Sequence, residues 1–126
     1  MSKRILIVDD EFEILFVLQR VFEDFAGWQT VGAISSSEGL RLASAEIFDA
    51  IVLDVSLPDM DGFEFLDRLR SDPRTVAVPV VLLTAKVTPS DRQRFAKLPI
   101  AGVIAKPFDP MTVWQEVDEV LGWKDA

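Results

Sequence analysis

Four short apolar runs in this sequence stop abruptly at residues that carry charge or a hydroxyl. Ile5-Leu6-Ile7-Val8 stops at Asp9-Asp10-Glu11, Ala50-Ile51-Val52-Leu53 at Asp54, Val80-Val81-Leu82-Leu83 at Thr84, and Gly102-Val103-Ile104-Ala105 at Lys106. A single acid after such a run is ordinarily a turn residue or a helix cap. If the fold brings all four ends together, at least three carboxylates share a crevice with one ammonium and one hydroxyl. Clustered carboxylates repel one another and, uncompensated, take up a proton. A hard divalent cation removes that need. All-oxygen ligation suits Mg²⁺ or Mn²⁺, and Mg²⁺ binds through one or two carboxylates while keeping positions for water and phosphate oxygens. Beside a Lys and a Thr hydroxyl, such an ion can receive a phosphoryl group. A carboxylate can also be the nucleophile that forms an acyl phosphate. Asp54, standing singly at the end of a central run, is the candidate for that role.

Composition narrows the chemistry further. The 126 residues contain no cysteine and no histidine, which removes disulfides, thiolate chemistry, imidazole ligation, Ser-His catalysis and phosphorylation of the chain on its own histidine. The net charge of -8 argues against direct binding to nucleic acid or to an anionic membrane. That charge is uneven along the chain. Between Asp9 and Asp67 there are 14 acids and 2 bases, whereas Arg68 to Lys97 holds 7 bases and 2 acids. No apolar run approaches a membrane span and the start lacks a signal-peptide core, so the expectation is a cytoplasmic protein with one folded domain over residues 1–126.

The elements that must position these residues are legible as an alternation. Helical spacing of Ile14, Leu15, Leu18, Val21, Phe22 and Phe25 follows the first run, with Gly27 as a stop. Gln29 to Ile34 reads as a weaker second strand. Ser35-Ser36-Ser37 before Glu38 offers an N-cap, and a third helix buries Phe65, Leu66 and Leu69 until Ser71-Asp72-Pro73 breaks it. Thr88-Pro89 and Asp109-Pro110 each read as a cap followed by proline at the first helical position. The last helix has Val113, Trp114, Val117, Val120 and Leu121 inside and ends at Gly122. Five strands alternating with five helices predict an α/β fold, a five-stranded parallel sheet with helices on both faces. In such sheets ligands bind beyond the carboxyl ends of the strands, which is where the polar residues stand.

Taken in order at strand ends, these residues carry a family resemblance. Ile5-Leu6-Ile7-Val8-Asp9-Asp10-Glu11, the block from Asp54 to Gly62, Thr84-Ala85 and Lys106-Pro107-Phe108 resemble the receiver domains of two-component response regulators over essentially the whole chain. The resemblance implies a flavodoxin-like (βα)5 fold with strand order 2-1-3-4-5. It implies that Asp54 accepts a phosphoryl group from a phosphohistidine on a sensor histidine kinase or histidine phosphotransfer protein. It further implies that Asp10, Asp54 and the Ser56 backbone carbonyl ligate Mg²⁺ with Asp9 acting through water. Thr84 would bond the phosphoryl oxygen, Lys106 would neutralise it, and a cis peptide bond would precede Pro107. The domain would act as a signalling phosphoprotein of a phosphorelay and not as a turnover enzyme, passing its state to a protein target through the fourth helix, fifth strand and fifth helix.

One position departs from the family. Three residues before the Lys, receivers usually carry an aromatic ring that swings inward as the Thr is drawn to the phosphate. Here Val103 has no ring to swing. Ser56 and Lys86 occupy positions that the family varies to tune dephosphorylation. The basic stretch Lys86 to Lys97 reads either as a solvated face or as a partner surface. Phe12, Phe16 and Phe22 read as packing, Trp114 as core, and Trp123 as a clamp on the last helix or an exposed contact. Two alternatives keep the same centre: a receiver cut from a longer regulator or hybrid kinase, and a Mg²⁺-dependent aspartyl-phosphate phosphatase. The phosphatase wants a second acid two residues after its nucleophile, where this chain has Ser56.

Overall fold

A computed structural model describes residues 3–85 and 88–123. Each apolar run is a strand: β1 (Arg4–Val8), β2 (Gln29–Ala33), β3 (Ala50–Asp54), β4 (Val80–Thr84) and β5 (Gly102–Ala105). All pair in parallel, in the order β2-β1-β3-β4-β5. Between them run α1 (Phe12–Val21), α2 (Ser36–Ala45), α3 (Gly62–Ser71), α4 (Pro89–Ala96) and α5 (Val113–Leu121).

The central strands are apolar at nearly every position because both their faces are covered. Side chains alternate across the sheet. Leu6, Val8, Ile51, Leu53, Val80 and Leu82 pack with Ala43 of α2, Phe65, Leu66 and Leu69 of α3 and Phe95 of α4. Ile5, Ile7, Ala50, Val52, Val81 and Leu83 pack on the other face with Leu15 and Leu18 of α1, Phe22, and Val113 and Val117 of α5. The strand order reverses at β1, so the crevice at the carboxyl ends of β1 and β3 is the switch point where ligands bind.

Three local expectations are corrected. The first helix is not α-helical to its end: Phe22–Ala26 forms a π turn that closes on Gly27 at φ +72°. The wider turn shifts the phase of the helix, so Phe22 is fully buried while Phe25 faces outward. Phe12 and Phe16 do not pack in the core; they are 70% and 54% exposed and stack on each other. The Asp109-Pro110 pair does not cap α5. Asp109 makes a turn in which its carbonyl accepts from the Thr112 and Val113 N–H groups, and α5 begins at Val113.

Trp123 resolves as a clamp. It meets Trp28 edge to face at 5.3 Å, and Trp28 also packs on Trp114 and Phe22. Of the basic stretch, Lys86 lies outside the described residues. Among the described residues no helix is long and apolar enough to cross a membrane.

Candidate functional site

The site is built by strand ends and completed by one lysine. Asp54 is the last residue of β3 and is 4% exposed. Its Oδ1 accepts the Ser56 N–H at 3.0 Å, a turn that fixes the carboxylate against its own backbone. Asp9 follows β1, is completely buried, and has its N–H bonded to the Ala33 carbonyl at 3.0 Å. Its Oδ1 accepts from the Glu11 N–H at 2.8 Å. Lys106 follows β5, where its N–H donates to the Thr84 carbonyl at 2.8 Å and the bond to Pro107 is cis. Its Nζ lies 3.1 Å from Asp9 Oδ2, 3.3 Å from Asp54 Oδ2 and 3.5 Å from Glu11 Oε1.

Asp9, Glu11 and Asp54 present carboxylate oxygens within 4.8 Å of one another. Only one cation, Lys106, bonds this group among the described residues, so three negative charges face one positive charge. Burial pushes the Asp9 carboxyl above its ordinary value, against the opposing pull of the Glu11 N–H and Lys106. Burial alone would lower Lys106, but the Asp9 and Asp54 carboxylates outweigh it and hold the ammonium above its ordinary value. Three carboxylates thus share one ammonium, and a deficit of positive charge remains. An oxygen-only donor set with that deficit fits a hard divalent cation.

Of the residues singled out in the sequence, Asp9, Asp54 and Lys106 come together directly. Thr84 is buried at the end of β4, where its carbonyl holds the Lys106 backbone. Ser56 is exposed beside Asp54. Asp10 is also exposed, and the third carboxylate of the gathered set is Glu11. In the sequence Glu11 is distinguished only as the third acid of its run, and the family pattern gives it no role of its own.

A second feature escaped the sequence reading. The Asp59 carboxylate accepts the Ser36 and Ser37 N–H groups at 3.0 and 3.1 Å, and Ser36 Oγ donates to the Met60 carbonyl at 3.1 Å. The loop after Asp54 is thereby tied to the first turn of α2. Free amides there favour an anion, and these bonds lower the Asp59 pKa. The loop ends on Asp61, which caps α3 by accepting the Phe63 and Glu64 N–H groups.

Comparison with known proteins places this geometry. The response regulator receiver domain family matches residues 5–118. The chain is 37% identical over 121 residues to the alkaline phosphatase synthesis transcriptional regulatory protein PhoP of Bacillus subtilis, covering 96% of this chain and 49% of that protein. It is 30% identical to protein PilH of Pseudomonas aeruginosa, covering 94% and 97% of the two chains. The chemotaxis response regulator CheY4 of Vibrio cholerae superposes with a TM-score of 0.88 at 30% identity, over 95% of this chain and 99% of that one. The chain thus spans about half the length of PhoP and nearly all of PilH and CheY4.

Proposed function

The chain belongs to the response regulator receiver domain family, and from that premise we propose that Asp54 is its phosphoacceptor. The observation that carries this is the bonding of Asp54 Oδ1 to the Ser56 N–H, with Oδ2 beside Lys106 at the sheet's switch point. Receivers are signalling domains that interact with histidine kinases or phosphotransfer proteins. No histidine stands among these 126 residues, so the phosphohistidine lies outside this receiver domain.

In the transfer, an Asp54 oxygen attacks the phosphorus of the donor's phosphohistidine. The P–N bond breaks, its electron pair stays on the imidazole nitrogen, and an acyl phosphate forms. Later attack by water on phosphorus returns the carboxylate and inorganic phosphate. Phosphoryl transfer needs mainly positioning and charge compensation. The Ser56 N–H positions the nucleophile, Lys106 neutralises an incoming oxygen, and Thr84 supplies a hydroxyl to it. Asp10, Asp54 and the Ser56 carbonyl would hold Mg²⁺, with Asp9 through water; when bound, the ion screens the clustered charge and stabilises the phosphoryl oxygens.

The donor would seat on the lip of this crevice. Phe12 and Phe16 form an exposed aromatic pair just after Glu11. Ile14 and Val17 line a groove of about 510 Å³ with Phe108 and Pro110, and its rim shares Glu11 and Lys106 with the site. The output face would be α4, the edge strand β5 and α5, with Arg92, Arg94 and Lys97 on one side and Glu116 and Glu119 on the other.

Acetyl phosphate with Mg²⁺ tests the acceptor directly. Intact mass is expected to show one phosphoryl group on the native protein and none on Asp54→Asn. Labelling of Asp54→Asn to the native extent overturns the assignment. Mass is the better readout than tryptophan emission, because all three Trp residues share one cluster that starts from Trp28, at the opposite end of the strands.

A further inference from the structure

The helix α4 is held to the molecule by very little. Its sequence is polar, its start is fixed by a capping box between Thr88 and Asp91, and Phe95 is its one fully buried side chain. On its β5 side lies a cavity of about 410 Å³, lined by Arg92, Phe95, Leu98, Ile100 and Val103. Valine at position 103 fills little of that space, so no ring joins β5 to α4 there. On its α3 side, by contrast, the contacts are specific. The Phe63 and Phe95 rings stack at 6.2 Å with an interplanar angle of 19°, and the Arg94 guanidinium sits 3.8 Å from the Phe63 ring centroid.

Phe63 is in turn fastened to the residue after Asp54. The Gly62 N–H donates to the Val55 carbonyl at 3.1 Å. A Cβ built on Gly62 would stand 3.1 Å from Val55 Cα, so the two backbones are in close contact and a shift of one displaces the other. Asp54, Val55 and Ser56 are consecutive, and Ser56 is bonded to the Asp54 carboxylate. A group added to that carboxylate acts on this backbone first.

Resting on the assignment of Asp54 as phosphoacceptor, we infer that Phe63 is the positioning residue that couples Asp54 to α4, through Val55 and Gly62 on one side and the Phe95 stack and Arg94 on the other. Phosphorylation shifts the 54–56 backbone, Gly62 follows, and the Phe63 ring moves between its two partners on α4. The helix can respond because the cavity beside Val103 leaves it room.

Hydrogen exchange of residues 88–98, with and without beryllofluoride and Mg²⁺, tests this on the native chain and on Phe63→Leu. Leucine keeps apolar bulk at a half-buried position but removes the stack and the cation–π contact. In the native chain, exchange across α4 is expected to change on activation. In Phe63→Leu it is expected to be faster by roughly tenfold in both states, as the loss of two such contacts predicts, and to lose its response. Phosphoryl labelling of Asp54 by acetyl phosphate, read as intact mass, should persist in the variant. A response of native size in Phe63→Leu overturns the inference. So does a native α4 that is indifferent to activation while Asp54 is labelled. Failure of the native chain to take a phosphoryl group would instead defeat the assignment of Asp54, and this inference with it.

Discussion

Asp9 is completely buried among like charges, and that position is costly to the fold. Its carboxylate lies in a group with Glu11 and Asp54 whose oxygens are within 4.8 Å, and Lys106 is shared by all three. An asparagine at position 9 keeps the shape and the bond from the Glu11 N–H, while Lys106 keeps Asp54 and Glu11. Without divalent ions, Asp9→Asn is therefore expected to be more stable than the native protein by about 1 kcal/mol, the usual size of gain when a functional site is relieved. Urea unfolding at neutral pH measures the difference. Added Mg²⁺ should raise the stability of the native chain and do so much less in the variant; an Asp9→Asn protein that is weaker without metal contradicts the electrostatic account. Asp9, Asp54 and Lys106 were legible in the sequence because a buried strand that stops at an ionisable residue leaves that residue at the sheet edge. Which of three consecutive acids turns inward was not legible. It depends on the backbone path of the residues just past β1, where Asp10 stays exposed and Glu11 reaches Lys106. Asp59 was hidden for a related reason, since its partners Ser36 and Ser37 are more than twenty positions away.

At the scale of elements, β1, β3 and β4 were read almost to the residue because each is a β-branched or leucine-rich run buried on both faces. Helix ends were legible where the cap is local. Ser35 accepts from the Glu38 N–H, Thr88 and Asp91 form a capping box, and Gly122 closes α5 at φ +71°. They were not legible where the chain departs from 3.6 residues per turn, as in the π turn at Phe22–Ala26, or where a turn and a cap share the same residues, as at Asp109-Pro110. The break after α3 illustrates a local device with a pH signature. Asp72 accepts from the Arg74 side chain and N–H and from Ser44 Oγ of α2, and these bonds hold its pKa at about 2 instead of 3.8. An acid whose pKa is lower in the folded state stabilises the fold above its ordinary pKa and loses that contribution as pH falls through its folded value. Asp72→Asn should therefore be less stable than the native protein at neutral pH, and the gap should close between about pH 4 and pH 2. Denaturant midpoints of both proteins across that range provide the check, and a gap that is independent of pH rules the ion pair out as its source.

Across the whole molecule, charge and apolar surface are sorted by function. The acidic crevice lies at one edge of the sheet, basic residues gather on α4, and the exposed rings of Phe12 and Phe16 stand beside the crevice. Such rings exposed on a folded domain lose free energy to water, and an exposed apolar patch next to a reactive carboxylate is suited to hold a partner while the reaction occurs. These residues hold no histidine, so the phosphoryl group comes from outside the domain, from a phosphohistidine or a small phosphoryl compound. These two kinds of donor separate docking from chemistry. A histidine phosphotransfer protein must cover the lip to bring its imidazole to Asp54, whereas acetyl phosphate reaches the carboxylate without touching Phe12 or Phe16. The double variant Phe12→Ser, Phe16→Ser is expected to lose about tenfold in the rate of transfer from a phosphorylated histidine phosphotransfer protein, the effect of truncating one or two anchors of an interface. Its labelling by acetyl phosphate should proceed at the native rate, because Asp9, Asp54 and Lys106 are untouched. Both rates can be followed by intact mass in parallel time courses. Equal slowing with both donors would mean that the rings support the site itself, and equal rates with the protein donor would move the docking surface elsewhere on the crevice rim.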